Sequence, residues 1–472
     1  MTRRHWRIDA LVLGLVALVL RLPALFATRS LVFDDGVFAS SALAMRTGGQ
    51  PFRDIFSSQG PVFLPLVWLA DLLGFRTLDA PRLLTVASGV LLTIAVYSCA
   101  RRVTSRGHAL LAAGLVTTSG SVLWVTGPVN ADGPSMALSV LAIALALRSL
   151  DHVDPGGKWN AVWVGLAGGA AASIKALSVP AVVIAGVVLL LWRRRVWDAA
   201  LAAAVAIGVY LVTALPWGLS RVWDQSFTYH NDARRLNTRP DAAWKVVTTL
   251  WERDPLVLVA LALAFVMFLV TRFTGAPRVH QDERQPRVGV VVAVLALWAV
   301  LVFTLLVWEP ALFRAHVAQL VPPLALLASL RPPPWAVLAV AAVVVAPFWA
   351  IENRSILWPH GYRGHDAEVV ARLRELPGDA LVISDDPGLA WRAGHGPPGD
   401  FADPSFQRIE QGRITEGSVA RAAASAEVCG VVVSSPQHFG RLVGLGSRLR
   451  REGYRPERFG DITLYTRTRC RA

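Results

Sequence analysis

The sequence predicts a multi-spanning α-helical membrane bundle followed by a small α/β domain. Of its 472 residues, 54% are hydrophobic and only 17% are charged, which is typical of a membrane protein rather than of a soluble domain of this length. Apolar runs of near-membrane length recur up to residue 350, whereas the stretch 360–472 mixes charged and apolar residues. We therefore expect a polytopic membrane domain over 1–350 and a soluble domain over 360–472.

The apolar runs predict about eleven spanning helices. The first run, 8–27, follows a basic N-terminus and is long enough to span, so we interpret it as an uncleaved helix rather than a signal peptide. The pair of runs in 160–193 is short, and the runs 36–47 and 61–74 are expected to lie at the interface or to re-enter. The predicted spans are 8–27, 81–100, 108–127, 133–150, 160–176, 178–193, 197–217, 254–271, 288–308, 312–330 and 334–350.

Arginine clusters orient these spans. If the basic N-terminus is cytoplasmic, four later clusters fall on the same side when the spans alternate, as the positive-inside rule requires. The loop 28–80 and the C-terminal domain then lie on the extracytoplasmic side of the cell membrane. Much of the net charge of +14 thus belongs to the clusters that orient the spans. No soluble segment combines many basic residues with interleaved aromatic residues, so nucleic-acid binding is not expected. The clusters are Arg3, Arg4 and Arg7; Arg101, Arg102 and Arg106; Arg193, Arg194 and Arg195; Arg272, Arg278, Arg284 and Arg287; and Arg331.

The C-terminal stretch alternates helical and β-like patterns, which predicts a small α/β domain. The helical patterns cover 365–376 and 437–451, and the β-like runs are 380–384, 428–434 and 462–466. Cys429 and Cys470 lie in this stretch and either pair in an oxidising compartment or stay as two thiols. Cys99 lies in an apolar run and is expected to be a packed small residue, and no cysteine spacing resembles a metal site.

Three carboxylates are predicted to emerge on one outer surface. Asp34 and Asp35 directly follow the first span, where two adjacent charges are costly unless they face water or a partner. Asp132 lies where the third and fourth spans meet. Each could instead cap the helix that follows, one of them starting at Gly36. Because all three carboxylates are predicted on the same side of the membrane at the same depth, we also interpret them as functional residues.

Cations are predicted on the same surface. Lys175 lies in an otherwise uncharged apolar stretch, which costs roughly 3 kcal/mol unless the ammonium is paired or reaches water. It either snorkels from a helix end or contacts an anionic head group. Arg314 and His316 begin a span on the outer side and are interface anchors or, for Arg314, a phosphate ligand. A carboxylate that takes a proton beside cations that bind phosphate suits group transfer from a lipid phosphate.

Several short motifs follow one another in a set order along the chain. They are Asp34-Asp35 with Phe38-Ala39, Gly49-Gln-Pro-Phe-Arg-Asp54, Ala80-Pro-Arg-Leu83, Ala100-Arg101-Arg102, Asp132, Ile174-Lys175-Ala176 and Pro322 to Leu327. This order resembles bacterial GT-C glycosyltransferases of the protein mannosyltransferase and aminoarabinose transferase superfamily, often called family 39. The resemblance covers about 8–330. Two departures are that the family's loop Lys-Pro-Pro is here Gln59-Gly60-Pro61 and its usual tyrosine is Phe38.

This resemblance implies a GT-C type fold and an enzyme, a hexosyl- or pentosyltransferase. It would transfer a sugar with inversion from a polyprenyl-phosphate donor to a hydroxyl of a glycan, lipid or protein acceptor at the outer membrane face. Asp34 matches the general base and Asp132 the second acid of the site. The expected substrate-binding residues are Asp35, Asp54, Gln59, Arg82, Lys175, Arg314 and His316.

Two other function classes fit parts of the sequence. A transporter or flippase of lipid-linked sugars would also have many helices with intramembrane charge, but it should show inverted repeats and broken helices at mid-membrane. We find no repeat, and the acids are predicted at the outer surface. A non-catalytic cell-envelope assembly protein would use the outer domain to bind cell-wall polymer. The sequence shows no metal ligand set and no certain cofactor, and it leaves the requirement for a divalent cation undecided.

Overall fold

The computed structural model describes residues 3–148, 157–193, 196–236, 241–273, 288–309, 314–332, 334–467 and 470. Several residues of the arginine clusters lie outside these described residues, namely Arg194, Arg195, Arg278, Arg284 and Arg287. The side chains of Arg3 and Arg4 are likewise outside the description. The orientation of the chain in the membrane therefore stays a prediction.

The described residues up to Leu357 form a helical assembly whose core consists largely of alanine, valine and leucine side chains. Short 3-10 helices cover Ala176–Ser178, Leu215–Trp217 and Arg314–Leu320, and a π-helical turn covers Asp224–Thr228. The α-helices are α1 (Arg3–Leu25), α2 (Phe33–Arg46), α3 (Phe63–Leu73), α4 (Arg82–Val103), α5 (Arg106–Thr118), α6 (Gly120–Thr126), α7 (Asp132–Arg148), α8 (Gly157–Ile174), α9 (Val179–Arg193), α10 (Val196–Ala214), α11 (Leu219–Trp223), α12 (Tyr229–Leu236), α13 (Ala242–Arg253), α14 (Pro255–Phe273), α15 (Val288–Trp308), α16 (Val321–Leu330), α17 (Trp335–Glu352) and α18 (Arg354–Leu357).

Within the described residues, five helices are long and apolar enough to cross a membrane, or up to seven if each of two bent pairs forms one span. The bent pairs are α5 with α6, at 60°, and α13 with the start of α14, at 101°. Helices also occupy the other predicted spans, but some are short: α9 has 15 residues and α16 has 10. The expected count of eleven spans is therefore not confirmed, although the helical membrane-protein architecture is.

The two short apolar runs of the first outer loop form α2 and α3. Most of α2 is buried, from Asp35 to Ala44, because α3 packs on one side and the C-terminal region packs on another. The alternative that Asp34 or Asp35 caps a helix starting at Gly36 is wrong. The helix starts three residues earlier, its N-cap is Val32, and both carboxylates lie in its first turn.

The C-terminal region contains a four-stranded sheet in the order β1-β2-β4-β3, with β1 and β2 parallel and the other neighbours antiparallel. Strand β3 was not predicted, because it is an edge strand with Pro456 and four consecutive exposed residues rather than an apolar run. Cys429 and Cys470 form a disulfide with Cα atoms 5.5 Å apart, and Cys99 is buried. The elements are α19 (Asp366–Leu373), β1 (Leu381–Ser384), α20 (Pro387–Ala393), α21 (Phe406–Glu410), α22 (Glu416–Ala423), β2 (Val428–Val433), α23 (Leu445–Arg451), β3 (Tyr454–Phe459) and β4 (Ile462–Arg467).

The C-terminal region packs directly on α2. A Cβ atom added to Gly36 would lie 2.4 Å from the backbone nitrogen of Gly388, so the two backbones touch only because both residues are glycines. The Ser40 hydroxyl donates to the Pro387 carbonyl at 3.1 Å, and the Trp391 indole donates to the Leu78 carbonyl at 3.1 Å. These contacts fix the C-terminal region over the first outer loop, where the predicted site residues begin.

Candidate functional site

Asp35 lies in a closed ion cluster that it shares with Asp79, Arg82 and Arg392. Asp35 and Arg82 are both 0% exposed, with Arg82 Nη2 2.5 Å from Asp35 Oδ2. The Asp35 carboxylate also accepts from the backbone N–H groups of Leu31 at 3.0 Å and Val129 at 2.9 Å. Although burial alone would raise the pKa of Asp35, Arg82 and these donors hold it below the ordinary value.

The closed ion cluster leaves Asp35 and Arg82 no exposed surface, and their substrate-binding role stays a prediction. Arg82 donates to the Ala27 and Arg29 carbonyls as well as to both acids of the cluster, so its guanidinium is fully engaged with protein. Neither side chain has a surface that a substrate could touch. The pair instead connects α2 to α4 and thereby fixes the neighbouring residue, Asp34.

Asp34 is in a different environment from its neighbour. It is half-buried, and its Oδ2 accepts a hydrogen bond from the Asn130 side-chain amide at 3.1 Å. Burial raises the pKa of Asp34 to about 6, with Lys175 opposing the shift and the nearby carboxylates Asp403 and Asp132 adding to it. A carboxylate with such a pKa accepts a proton readily near neutral pH.

Asp132 and Lys175 form a buried ion pair beside Asp34. Lys175 Nζ lies 2.7 Å from Asp132 Oδ2 and 3.1 Å from His316 Nε2. Gln319 donates to the other oxygen of Asp132 at 3.4 Å. The pairing satisfies the buried ammonium, so Lys175 is not a snorkelling residue at a helix end.

Asn130 connects the two parts of the candidate site. Its amide nitrogen donates to Asp34, and its side-chain oxygen accepts from the backbone N–H of Asp132 at 2.7 Å. The sequence left open that the Asp132 side chain caps α7. Asn130 accepts the hydrogen bond at the start of this helix instead, so the Asp132 side chain is available to pair with Lys175. We define the candidate site by these joined residues: Asp34, Asn130, Asp132, Lys175 and His316.

The first outer loop reaches the candidate site through Gly60. The backbone N–H of Gly60 donates to the Ile174 carbonyl at 2.9 Å, directly before Lys175. A Cβ atom on Gly60 would lie 2.2 Å from the Ser173 carbonyl oxygen, so this contact requires glycine. Gln59, which replaces the expected lysine, is half-buried and its amide donates to the Ser58 hydroxyl at 3.2 Å. The loop thus positions Gln59 beside the end of α8 but brings no cation there.

Two predicted binding residues lie apart from these contacts. Asp54 is exposed and accepts from the Gln50 backbone N–H at 3.0 Å, which stabilises a local turn. Arg314 is also exposed, and its guanidinium lies 3.7 Å from the Glu252 carboxylate. Neither has a direct bond to the candidate site among the described residues.

The sequence interpretation missed three residues that surround the candidate site. Asn130 could have been found, because it lies two residues before Asp132 in the same motif. His230 donates to the Ser58 carbonyl at 2.9 Å, and burial lowers its pKa to about 4, so it is neutral at pH 7. Asp403 comes from the C-terminal region and is 6% exposed. His230 and Asp403 gave no sequence signal, because only the folded chain brings them to the first outer loop.

The described residues contain no group of three or more histidine, cysteine, aspartate or glutamate side chains that could hold a metal ion. The acids of the candidate site are instead engaged with Lys175 and Asn130. The candidate site thus places two carboxylates beside one fixed ammonium group.

Comparisons with known proteins concern the family and the fold of the chain rather than its individual site residues. Residues 58–219 match the family described as dolichyl-phosphate-mannose-protein mannosyltransferase. The structure resembles ArnT from Cupriavidus metallidurans bound to undecaprenyl phosphate, with a TM-score of 0.67, 15% identity and coverage of 98% of each chain. It also resembles the oligosaccharyltransferase AglB from Archaeoglobus fulgidus in complex with an inhibitory peptide and a dolichol-phosphate, with a TM-score of 0.53 and 13% identity over 98% of this chain and 74% of that one.

Curated protein sequences include no match to the chain. At identities of 15% and 13%, the similarity to the solved structures establishes the fold. The match of 58–219 includes Lys175, Asp132 and Arg82, three residues of the predicted motifs. The chain thus has the GT-C glycosyltransferase fold of ArnT and AglB, and its residues 58–219 match the mannosyltransferase family, as the order of its sequence motifs predicted.

Proposed function

We propose that the protein transfers a sugar, with inversion, from a polyprenyl-phosphate donor to a hydroxyl acceptor at the outer face of the cytoplasmic membrane. The acceptor hydroxyl belongs to a glycan, a lipid or a protein, and the sugar is a hexose or a pentose. The undecaprenyl phosphate and dolichol-phosphate bound to ArnT and AglB support a donor of this class. The single observation that carries the proposal is the half-buried Asp34 carboxylate beside the Asp132–Lys175 ion pair.

Asp34 acts as the general base. Its carboxylate accepts the proton of the acceptor hydroxyl, and the acceptor oxygen forms a bond to the anomeric carbon of the sugar. The bond between that carbon and the phosphate oxygen breaks, and polyprenyl phosphate leaves. Asn130 holds one oxygen of Asp34 at 3.1 Å, which leaves the other oxygen to receive the proton.

Lys175 stabilises the phosphate that leaves. Its ammonium has three N–H donors, of which one is directed at Asp132 and one is close to His316 Nε2. The third remains for a phosphate oxygen. Asp132 fixes the ammonium as the second acid of the site, and His316 limits its position from the other side. Gln59 of the first outer loop contributes hydrogen bonds to a substrate without adding charge.

The remaining predicted residues have supporting roles in this proposal. Asp35 and Arg82 position Asp34 from inside the protein. Arg314, at the exposed end of its 3-10 helix, attracts the donor at the membrane surface rather than touching the reacting atoms. Asp54 holds the turn of the first outer loop. The domains divide as 1–350 for the membrane part and 360–472 for an extracytoplasmic α/β part, with a cytoplasmic N-terminus.

The test is transfer by the purified full chain in liposomes. A panel of radiolabelled polyprenyl-phosphate pentoses and hexoses is supplied with envelope glycan, lipid or protein acceptors, and the release of polyprenyl phosphate is followed with the transfer of label. Asp34→Asn should lower the rate by about 100-fold or more, since a general base contributes about that much. The matched control is Asp241→Asn, an exposed carboxylate in the same predicted outer face. Full transfer by Asp34→Asn, or no consumption of any donor, would contradict the proposal.

A further inference from the structure

The C-terminal region carries a buried carboxylate to the candidate site. Ala402 packs in one apolar cluster with Phe38, Ala131 and Ile174. Two of these neighbours adjoin residues of the candidate site in the chain, since Ala131 lies between Asn130 and Asp132 and Ile174 precedes Lys175. Asp403 directly follows Ala402 and is 6% exposed, so its side chain is buried one residue away from this cluster.

The position of Asp403 is fixed by neighbours on both sides of it. Its Oδ1 accepts from the Ser405 backbone N–H at 3.0 Å, and its carbonyl accepts from Arg408 at 2.8 Å. The guanidinium of Arg408 also lies 4.1 Å above the Phe56 ring of the first outer loop. Tyr229 donates to Gln407 at 3.0 Å, which ties the same segment to α12. These contacts hold Asp403 in one place relative to α2.

We propose that Asp403 is a positioning residue of the candidate site, whose fixed negative charge makes Asp34 a stronger proton acceptor. The inference rests on the proposed function, because it gives Asp34 the role of base. Asp403 touches no reacting atom; it acts through its repulsion of the charge on Asp34. The C-terminal region thereby contributes a charged group to a site whose other residues come from the helical part of the chain.

The electrostatic surroundings of both acids support this assignment. After burial and the opposing effect of Lys175, Asp403 is the leading cause that raises the pKa of Asp34, ahead of Asp132 and the adjacent Asp35. Asp403 has its own pKa raised by burial, against the effects of Arg408 and the Ser405 donors, with Asp400 adding to the rise. A negative neighbour in a buried setting strengthens a base, because it disfavours the second charge.

A thiol in place of Asp34 measures this repulsion without any enzymatic activity. In an Asp34→Cys chain, the rate of alkylation by iodoacetamide follows the fraction of thiolate, so its pH midpoint reports the thiol pKa. Adding Asp403→Asn should move the midpoint to lower pH, since the repelling charge is gone. The matched control is Asp379→Asn, an exposed carboxylate of the same C-terminal region, which should leave the midpoint in place. Background alkylation is low because Cys99 is buried and the other two cysteines are paired.

Transfer activity gives the second readout. In Asp403→Asn, the acid limb of the pH–rate profile should shift to lower pH, and the plateau rate should fall because Asp34 is a weaker base. A merely structural role would lower the plateau without moving the limb. Asn can keep the hydrogen bond from Ser405, and Asp403→Ser replaces it if the first variant does not fold. An unchanged alkylation midpoint overturns the inference, whereas failure of the proposed function leaves the alkylation result intact.

Discussion

Two acid–base regions lie side by side at the outer loop, and they differ in what their charges can reach. In the closed ion cluster, Asp35 and Arg82 are completely enclosed, and all five guanidinium N–H groups of Arg82 are directed at protein acceptors. In the candidate site, Asp34 is half-exposed, and Lys175 retains a donor beyond its two neighbours. Adjacent carboxylates in one helix turn thus serve opposite purposes. A buried charge that is fully paired stabilises the fold, whereas one that is partly paired can act on a ligand.

Removal of a charge from the closed ion cluster should have the largest effect on stability. Asp35→Asn removes the buried counter-ion of Arg82 and leaves it only the partly exposed Asp79, which costs about 3–5 kcal/mol. We expect a strong loss of folded protein in detergent, measured by thermal unfolding and gel filtration. Asp34→Asn is the paired control and should unfold close to the wild-type temperature. Equal unfolding temperatures of both variants would show that the two carboxylates do not differ in their contribution to stability.

The Asp132–Lys175 pair should be required for both folding and transfer, and the two roles can be separated. Lys175→Met leaves Asp132 buried without a partner, so we expect a loss of stability and a large fall in kcat. The double variant Lys175→Met with Asp132→Leu removes both charges and should recover stability by about 1–4 kcal/mol without recovering transfer. Recovered transfer in the double variant would show that the pair has only a structural role.

The close approach of Gly388 to the start of the first outer loop allows a direct test of how the C-terminal region is held against the helical part. A Cβ atom on Gly388 would lie 2.4 Å from Ser30 Cβ, so Gly388→Ala must separate the region from α2 at a cost of about 1–3 kcal/mol. Limited proteolysis should then cleave the chain after α18 more readily. Gly378→Ala, where a Cβ atom meets nothing within 4 Å, is the control.

The pH dependence of transfer should report Asp34. The base works when deprotonated, and burial raises its pKa to about 6, so kcat/KM should be maximal above that pH. Below it, the rate should fall about tenfold per pH unit as the carboxylate is protonated, since one base controls the limb. A profile that stays flat down to pH 4.5 would indicate an ordinary exposed carboxylate or no role for this residue.

The smallest effect is expected at Arg314. Its ion pair with Glu252 spans 3.7 Å between two exposed side chains, so Arg314→Gln should change stability by about 0–1 kcal/mol. If Arg314 only attracts the donor, KM should rise a few-fold and kcat should stay constant. A large drop in kcat would place Arg314 on the donor phosphate, as the sequence resemblance implied.

The sequence alone determined the helical membrane architecture and the order of the motifs. Composition and apolar run length predict helices because a bilayer leaves few alternatives, and the motif order predicted the fold that the comparison with solved structures shows. The sequence also predicted the strands β1, β2 and β4, whose apolar runs are buried in the sheet. The edge strand β3 was not predicted, because its exposed residues do not form an apolar run.

Only the tertiary structure decided how the charges pair. The sequence placed Arg82 and Asp35 among the binding residues, since pairing across 47 positions leaves no local signal. The same holds for the roles of Asn130, His230 and Asp403, which reach the candidate site through loop docking and through the C-terminal region. Whether a carboxylate is a base or half of a salt bridge depends on burial and partners, and these are properties of the folded chain rather than of any sequence interval.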